Sequence, residues 1–256
     1  MVSDKDIEKR RYNNASIETL KQIESIDLNL YGSKSAKIYY SDPYSRYEQL
    51  IQFYVNESSE VLDLCIGDGV NTIFTAKLGC KVTATDIANE GLNVAKIRAS
   101  YFKLDNIKFL CADAENLNFS DDSFDVITIV GSLSYLDLDK FIREVKRVLK
   151  PGGRLVVLDS FNHNLFYKIN RYLHYFAGNR TYGTLIRMPS CGTLKKLNNN
   201  FKNPHVEYFG IFSFLIPAFK LFLNDSDIHD LIKKLDKKFL IFKKYSFKII
   251  YTAENF

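Results

Sequence analysis

The chain has 256 residues, 46% of them hydrophobic and 25% charged, with a formal charge of +5. That length suits one α/β domain with additions, and that balance is the balance of a globular chain rather than a disordered or fibrous one. The small positive excess, with no aromatic-plus-basic motif beside it, makes no case for nucleic acid, and no apolar run reaches the about 18 residues of a membrane span.

In chain order, residues 1–58 read as helical. The first six, Met1 to Asp6, lack the apolar stretch of a secretory signal. Ile17, Leu20, Ile23 and Ile26 recur at three-residue steps, and a second helix is predicted through residues 47–53. Between them lies a turn-rich aromatic stretch, residues 39–46.

Residues 59–160 alternate strand and helix. A short apolar run, residues 61–64, leads into Cys65-Ile66-Gly67-Asp68-Gly69 and a helix over 71–78. A second run, 81–85, ends in Asp86 and precedes a helix over 89–102, and a third, 107–111, runs into Asp113. A fourth strand is expected at 124–130. Leu138, Phe141, Ile142, Val145 and Leu149 then trace one helix face, which Pro151 should end, with Gly152-Gly153 reversing into a fifth strand. Such alternation gives parallel βαβ units, and right-handed crossovers wind them into one Rossmann-like doubly wound sheet. One carboxylate after each of two neighbouring strands suits a nucleoside-bearing cofactor lying across the strand ends.

Residues 161–200 change character. Phe161, Leu165, Phe166, Ile169, Tyr172, Leu173 and Phe176 form an apolar stripe at helical spacing, followed by a loop over 178–189 and a short helix near 193–197. Residues 201–256 supply two strand candidates, 204–212 and 244–252. Between these, Ile228, Leu231, Ile232, Leu235 and Phe239 mark an amphipathic helix. Its outer face carries Lys233, Lys234, Lys237 and Lys238, which read as a solvated lysine face in preference to a membrane contact. Cys65, Cys80, Cys111 and Cys191 fall at no metal-ligand or disulfide spacing, so no metal is expected and a reducing cytoplasm is the natural location.

The glycine spacing narrows the cofactor. A dinucleotide fingerprint needs glycine at loop positions one, three and six, and neither frame here supplies it. That disfavours a nicotinamide oxidoreductase. The pattern Asp63-x-x-x-Gly67-x-Gly69 instead resembles motif I of the class I S-adenosylmethionine-dependent methyltransferases, in particular small-molecule ("type 11"-like) members. Phe124-Asp125-Val126-Ile127-Thr128-Ile129-Val130-Gly131-Ser132 is similar to that family's fourth strand, and Arg147-Val148-Leu149-Lys150-Pro151-Gly152-Gly153-Arg154-Leu155 to its helix–turn–fifth-strand signature. The resemblance implies a seven-stranded sheet, mostly parallel with an antiparallel final strand. It also implies an N-terminal helical cap (1–58), a cofactor-binding core (59–160), a substrate-covering insertion (161–200) and a C-terminal completion of the sheet (201–256).

The resemblance further implies S-adenosyl-L-methionine as cofactor and assigns its contacts. Asp86 takes the ribose hydroxyls, Ile87 the adenine face, and Asp113 with Ala114 the adenine edge. Gly67 and Gly69 flank the methionine portion, while Asp63, Val130 and Gly131 serve the ammonium group. Cys65 stands where the family has its first loop glycine. If that position needs a left-handed backbone, the side chain costs about 1 kcal/mol of strain. If it needs only close approach, a thiol is tolerated.

On the acceptor side, Tyr135 and His163 are the candidate catalytic residues, His163 because an imidazole can act as a base near neutral pH. His174 reads as structural, and Arg180 and Arg187 as either anion ligands or solvated charges. The function expected is methyl transfer to a small-molecule acceptor, on an oxygen of a sugar, glycan precursor or secondary metabolite. The alternatives are carbon methylation of a quinone-like lipid and a non-catalytic relative that has lost its cofactor.

Overall fold

The computed structural model describes residues 3–256; Met1 and Val2 of the expected cap lie outside the described residues. Seven strands form one sheet: β1 (Glu60–Leu64), β2 (Lys81–Asp86), β3 (Ile107–Cys111), β4 (Phe124–Val130), β5 (Leu149–Ser160), β6 (Lys202–Phe209) and β7 (Lys248–Glu254). Their spatial order is β3-β2-β1-β4-β5-β7-β6. Every neighbouring pair among β1 to β5 is parallel, and β7 runs antiparallel to both β5 and β6.

Alternation along the strands divides the core into two layers. Leu62, Ile127 and Val157 face one way, onto Phe141, Ile142 and Val145 of α5 (Leu138–Val148). Val61, Val126, Val156 and Leu158 face the other way, onto Tyr47, Leu50 and Ile51 of α2 (Asp42–Tyr54). These central strands are covered on both sides, so apolar residues point to both faces of the sheet. The crossover helices α3 (Val70–Ala76) and α4 (Asn89–Tyr101) follow β1 and β2. After β3 the chain returns to the far side of β1, so the strand order reverses between β1 and β4. A cleft outside the carboxyl ends of the strands belongs there.

Ahead of the sheet, α1 (Asp4–Lys21) opens on a capping box in which Ser3 and Asp6 exchange hydrogen bonds. It packs on α4, with Asn13 accepting from the Glu90 amide at 3.2 Å. After β5 come α6 (Leu165–Phe176), α7 (Tyr182–Ile186) and α8 (Cys191–Asn198). The stretch expected to be a loop over 178–189 therefore contains a helix, started by Thr181, whose hydroxyl accepts from the Thr184 amide.

Three other expectations are corrected. Pro151 does not end α5. The helix stops at Val148 because its last carbonyls are claimed from outside: Asp122 and Ser123 amides donate to Arg147 and Val148, and the Asn255 side chain to Lys146 at 2.9 Å. Residues 149–160 are then extended, with an irregularity between the pairs Phe124–Leu149 and Val126–Arg154 absorbing Pro151 and Gly152. The last two strands lie at 202–209 in place of 204–212 and at 248–254 in place of 244–252, and they pair antiparallel. Between them, α9 (Ile216–Phe219) and α10 (Asp225–Lys238) build a satellite core of Tyr39, Ile216, Ile228 and Ile232.

Candidate functional site

A cleft of about 200 Å³ opens at the predicted reversal point. Its floor is made by Cys65, Ile66 and Gly67 after β1, Asp86 and Ile87 after β2, Ala112 to Ala114 after β3, and Val130 to Ser132 after β4. Eight of the ten residues expected to hold the cofactor thus line one cavity: Cys65, Gly67, Asp86, Ile87, Asp113, Ala114, Val130 and Gly131.

The loop after β1 explains its own composition. Cys65 has φ 57°, Gly67 57° and Gly69 80°, all left-handed. A Cβ built on Gly67 or Gly131 would meet nothing within 4 Å, so both expose bare backbone to the cleft. Gly69 is different. A Cβ there would stand 2.7 Å from that of Ala95, so this glycine serves helix packing and does not line the cavity. Gly91 was not singled out from sequence, yet its bare Cα lets α4 close on the Gly67 carbonyl, which a Cβ would approach to 2.8 Å. Cys65 adopts the backbone for which the family uses glycine, so the costlier of the two readings holds.

Asp86 organises that loop. One carboxylate oxygen accepts from the Gly67 amide at 2.8 Å, the other from the Ala88 amide at 2.8 Å. An ionised carboxylate has about four lone-pair sites, so acceptor capacity remains toward the cleft. Burial pushes its pKa up, against the pull of these amides.

Asp63 lies below the floor. It is 2% exposed and accepts from the hydroxyls of Thr72 and Thr128, each at 2.7 Å. It therefore ties α3 to β4 and does not face the cleft as expected for an ammonium ligand. Burial raises its pKa to about 6, against the opposing hydroxyls.

The Cys65 thiol is raised well above its ordinary value by burial and by the carboxylates of Asp86, Asp113 and Asp63. It stays protonated and inert.

Asp113 is already engaged. Lys5 donates to both its oxygens, at 3.0 and 2.8 Å, and also pairs with Glu115 at 2.8 Å. Lys5 comes from α1, which contributes Glu8, Lys9 and Tyr12 to the cleft as well. None of these four was identified from sequence. The only local signal was that the segment is helical.

Tyr135, which follows β4, lines the cleft and meets Tyr12 edge-on at 5.6 Å. Arg180 donates to its hydroxyl. Burial, reinforced by Tyr135, raises the Tyr12 phenol above its usual range. Glu8, 5% exposed, is paired with Arg11 at 2.6 Å and accepts from the Thr181 amide at 3.3 Å. His163 is elsewhere. Its Nε2 accepts from the Cys191 amide at 3.1 Å at the start of α8, so the lone pair a base would use is occupied. Burial, with Lys168 and Lys244, lowers its pKa further. His163 is a helix-capping residue, not a cleft base.

Residues 61–153 match the profile of a family described as "Methyltransferase domain". The chain is 34% identical over 179 residues to the ubiquinone/menaquinone biosynthesis C-methyltransferase UbiE of Pectobacterium carotovorum, covering 61% of this chain and 71% of that protein. It is 33% identical over 119 residues to the sterol 4-C-methyltransferase strm-1 of Caenorhabditis elegans, covering 46% of this chain and 36% of that one. Across the first four curated relatives, the chain spans between 36% and 51% of their length. Among solved structures, the geranyl diphosphate C-methyltransferase of Streptomyces coelicolor superposes with a TM-score of 0.59 at 14% identity, over 83% of this chain and 79% of that one. Its crystals hold Mg²⁺, geranyl diphosphate and S-adenosyl-L-homocysteine. The Haemonchus contortus phosphoethanolamine N-methyltransferase 2, bound to S-adenosyl-L-methionine, superposes with a TM-score of 0.59 at 17% identity, over 83% of this chain and 52% of that one.

Proposed function

The chain belongs to the class I S-adenosylmethionine-dependent methyltransferase family, and from that premise we propose that it transfers a methyl group to a small molecule with an apolar body. The observation that carries the reading is the cleft floor, where bare backbone at Gly67 and Gly131 adjoins the carboxylate of Asp86. Those residues fit the cofactor. Asp86 offers acceptors to a diol, Ile87 and Ala114 an apolar slot for a base, and Gly67 and Gly131 room for an amino-acid tail. When bound, S-adenosylmethionine supplies a methyl on a sulfonium, an electrophile already activated. The protein's task is then to position the acceptor and exclude water, which can supply most of the acceleration.

The acceptor side is built by α1 and the residues after β4. Tyr12, Tyr135 and Leu136 present two rings and an aliphatic side chain to the cleft. Among the described residues no free base stands with them: Glu8 is paired with Arg11, Asp113 with Lys5, and His163 faces α8. A sugar hydroxyl is a poor nucleophile without such a base. An electron-rich carbon on an acidic ring needs much less help. Carbon methylation of a quinone-like acceptor is therefore the first reading and methylation of a sugar oxygen the second, favoured only by Arg180 beside Tyr135. All four cysteines are free, which suits a cytoplasmic location.

Calorimetry with S-adenosylmethionine tests the first step. Heat with a Kd at or below about 100 μM is expected, and none at about 1 mM would refute the methyltransferase reading. Incubation with the tritiated cofactor and cell extract then separates the acceptors. Label should enter the organic-soluble fraction, and label confined to water-soluble glycans would reverse the choice.

A further inference from the structure

Helix α6 is inside out. Phe166, Ile169, Leu173 and Phe176 recur on one face and are 55%, 48%, 62% and 78% exposed. Among its described side chains the buried one is Arg171, which reaches Ser134 at 3.3 Å and lies over the Tyr167 ring. A helix of a globular protein normally does the opposite.

The apolar surface does not end with α6. Phe166 stacks on Phe214 with ring centroids 4.7 Å apart, Phe214 adjoins Phe212, and Phe212 meets Phe239 at the end of α10. Asn164, at the start of α6, donates to the Tyr245 carbonyl at 3.1 Å. The segments joined this way carry further uncovered side chains, Leu221, Phe222 and Ile241, 75%, 85% and 83% exposed. So many uncovered aromatic and aliphatic side chains on linked segments are rare on a monomer's surface and mark a partner.

Charge says which partner. Lys168, Lys237, Lys238, Lys243 and Lys244, on or next to the same segments, are all exposed, and among the described residues none of them forms an ion pair. The nearby Asp236 is spent accepting from the Gly210 and Phe212 amides. Protruding aromatic and aliphatic side chains among unpaired lysines are what an interfacial lipid-binding surface needs. A second copy of the chain fits less well, because a two-fold contact would set these lysine clusters against each other, and lysine is depleted from interface cores. No helix among the described residues is long and apolar enough to cross a membrane, so the contact would be peripheral.

We propose that this face docks the protein on an anionic lipid bilayer. Phe166, Leu173 and Phe176 of α6, with Phe222 and Ile241, enter the headgroup boundary while the lysines lie over the phosphates. The chain leads from this face to the cleft, since Arg180, shortly after α6, donates to Tyr135, which lines it. A lipid-like acceptor then reaches the cleft without crossing water.

The test is co-sedimentation with vesicles of phosphatidylcholine alone and of phosphatidylcholine with about one third phosphatidylglycerol. Binding to the anionic vesicles is expected at about 0.05 M salt and should weaken at least about tenfold at about 0.5 M. The pairs L173E/F176E and F222E/I241E should each lower it by at least about tenfold. Both should keep the wild-type thermal melt and calorimetric affinity for S-adenosylmethionine, which separates this proposal from the catalytic reading. Failure of the wild type to bind anionic vesicles, or undiminished binding by F222E/I241E, would overturn it. So would a concentration-dependent dimer in sedimentation equilibrium that F222E/I241E abolishes while vesicles are ignored.

Discussion

Beneath the floor of the cleft, Leu62 and Ile127 are 0% exposed, and β1, which carries Leu62, ends in a loop fixed by backbone geometry and by the carboxylates of Asp86 and Asp63. In the roof, α1 buries Glu8 and α6 buries Arg171, while Ile7 and the α6 stripe stay exposed. The floor is held as a core is held, by close-packed apolar burial that leaves it little freedom to move. The roof is held by buried polar contacts, each dependent on its partner. The difference separates tasks. A cofactor common to a family needs the same rigid floor, whereas an acceptor must enter and leave past elements that can open.

The sharpest way to break this contrast is to attack the floor. Asp86→Ala removes the acceptor for two loop amides and for any diol in the cleft. Loss of a charged hydrogen-bonding partner of this kind costs about 3 kcal/mol, so calorimetry should show cofactor affinity falling about 100-fold. Unchanged affinity would mean that the floor does not hold the cofactor.

Asp63 tests the floor's stability in place of its ligand. Its folded pKa of about 6 lies above the ordinary 3.8, so the folded state holds the proton more tightly than the unfolded one. Stability from this group is highest at low pH, falls as pH rises between those two values, and is lowest above 6. An uncharged Asp63→Asn escapes that fall. It should gain about 2 kcal/mol on the wild type at neutral pH, after allowance for an imperfect bond to one threonine, and nothing near pH 4. Thermal melts at the two pH values decide it.

What the sequence disclosed follows the same division. The floor was legible because it is local. Gly67, Asp86 and Asp113 stand within a few residues of the strands whose ends they mark, and strands buried on both faces announce themselves as apolar runs. The roof was not, because its contacts join distant segments. Lys5 finds Asp113 across 108 residues, and Glu8 finds Thr181 across 173. Periodicity located the stripe on α6 but carries no sign, since it says that one face is apolar and not whether that face points inward. The end of α5 was misread for a related reason. Pro151 is a local stop signal, but Asn255 and residues 122–123 had already claimed the carbonyls. Asp63 as an ammonium ligand and His163 as a cleft base are site expectations that fail. Which way each side chain turned depended on Thr72, Thr128 and Cys191, which no local pattern specifies.

Cys65 offers a smaller, sharper test of the floor. A non-glycine residue at φ 57° carries strain that glycine would not. Against the relief stands the extra entropy glycine loses on folding. The balance for Cys65→Gly is a gain of up to about 1 kcal/mol, a melt higher by about 2–4 °C. A lower melt would show that the thiol's packing against the core outweighs the strain.

The smallest effect is expected where roof meets floor, at Lys5. Its ammonium occupies both oxygens of Asp113, the group the family resemblance assigns to the adenine edge, so α1 and the cofactor compete for one carboxylate. The pair is partly exposed, with side chains 30% and 34% accessible. Such a pair is worth no more than about 1 kcal/mol, so releasing it by Lys5→Ala should tighten cofactor binding by at most about fivefold at low salt. The difference should shrink at about 0.5 M salt, where the wild-type pair is itself screened. If affinity instead weakens tenfold or more, Lys5 is a ligand and not a competitor. The N-terminal helix would then belong to the cofactor's rigid cradle, and the boundary between fixed floor and movable roof would have to be drawn above α1.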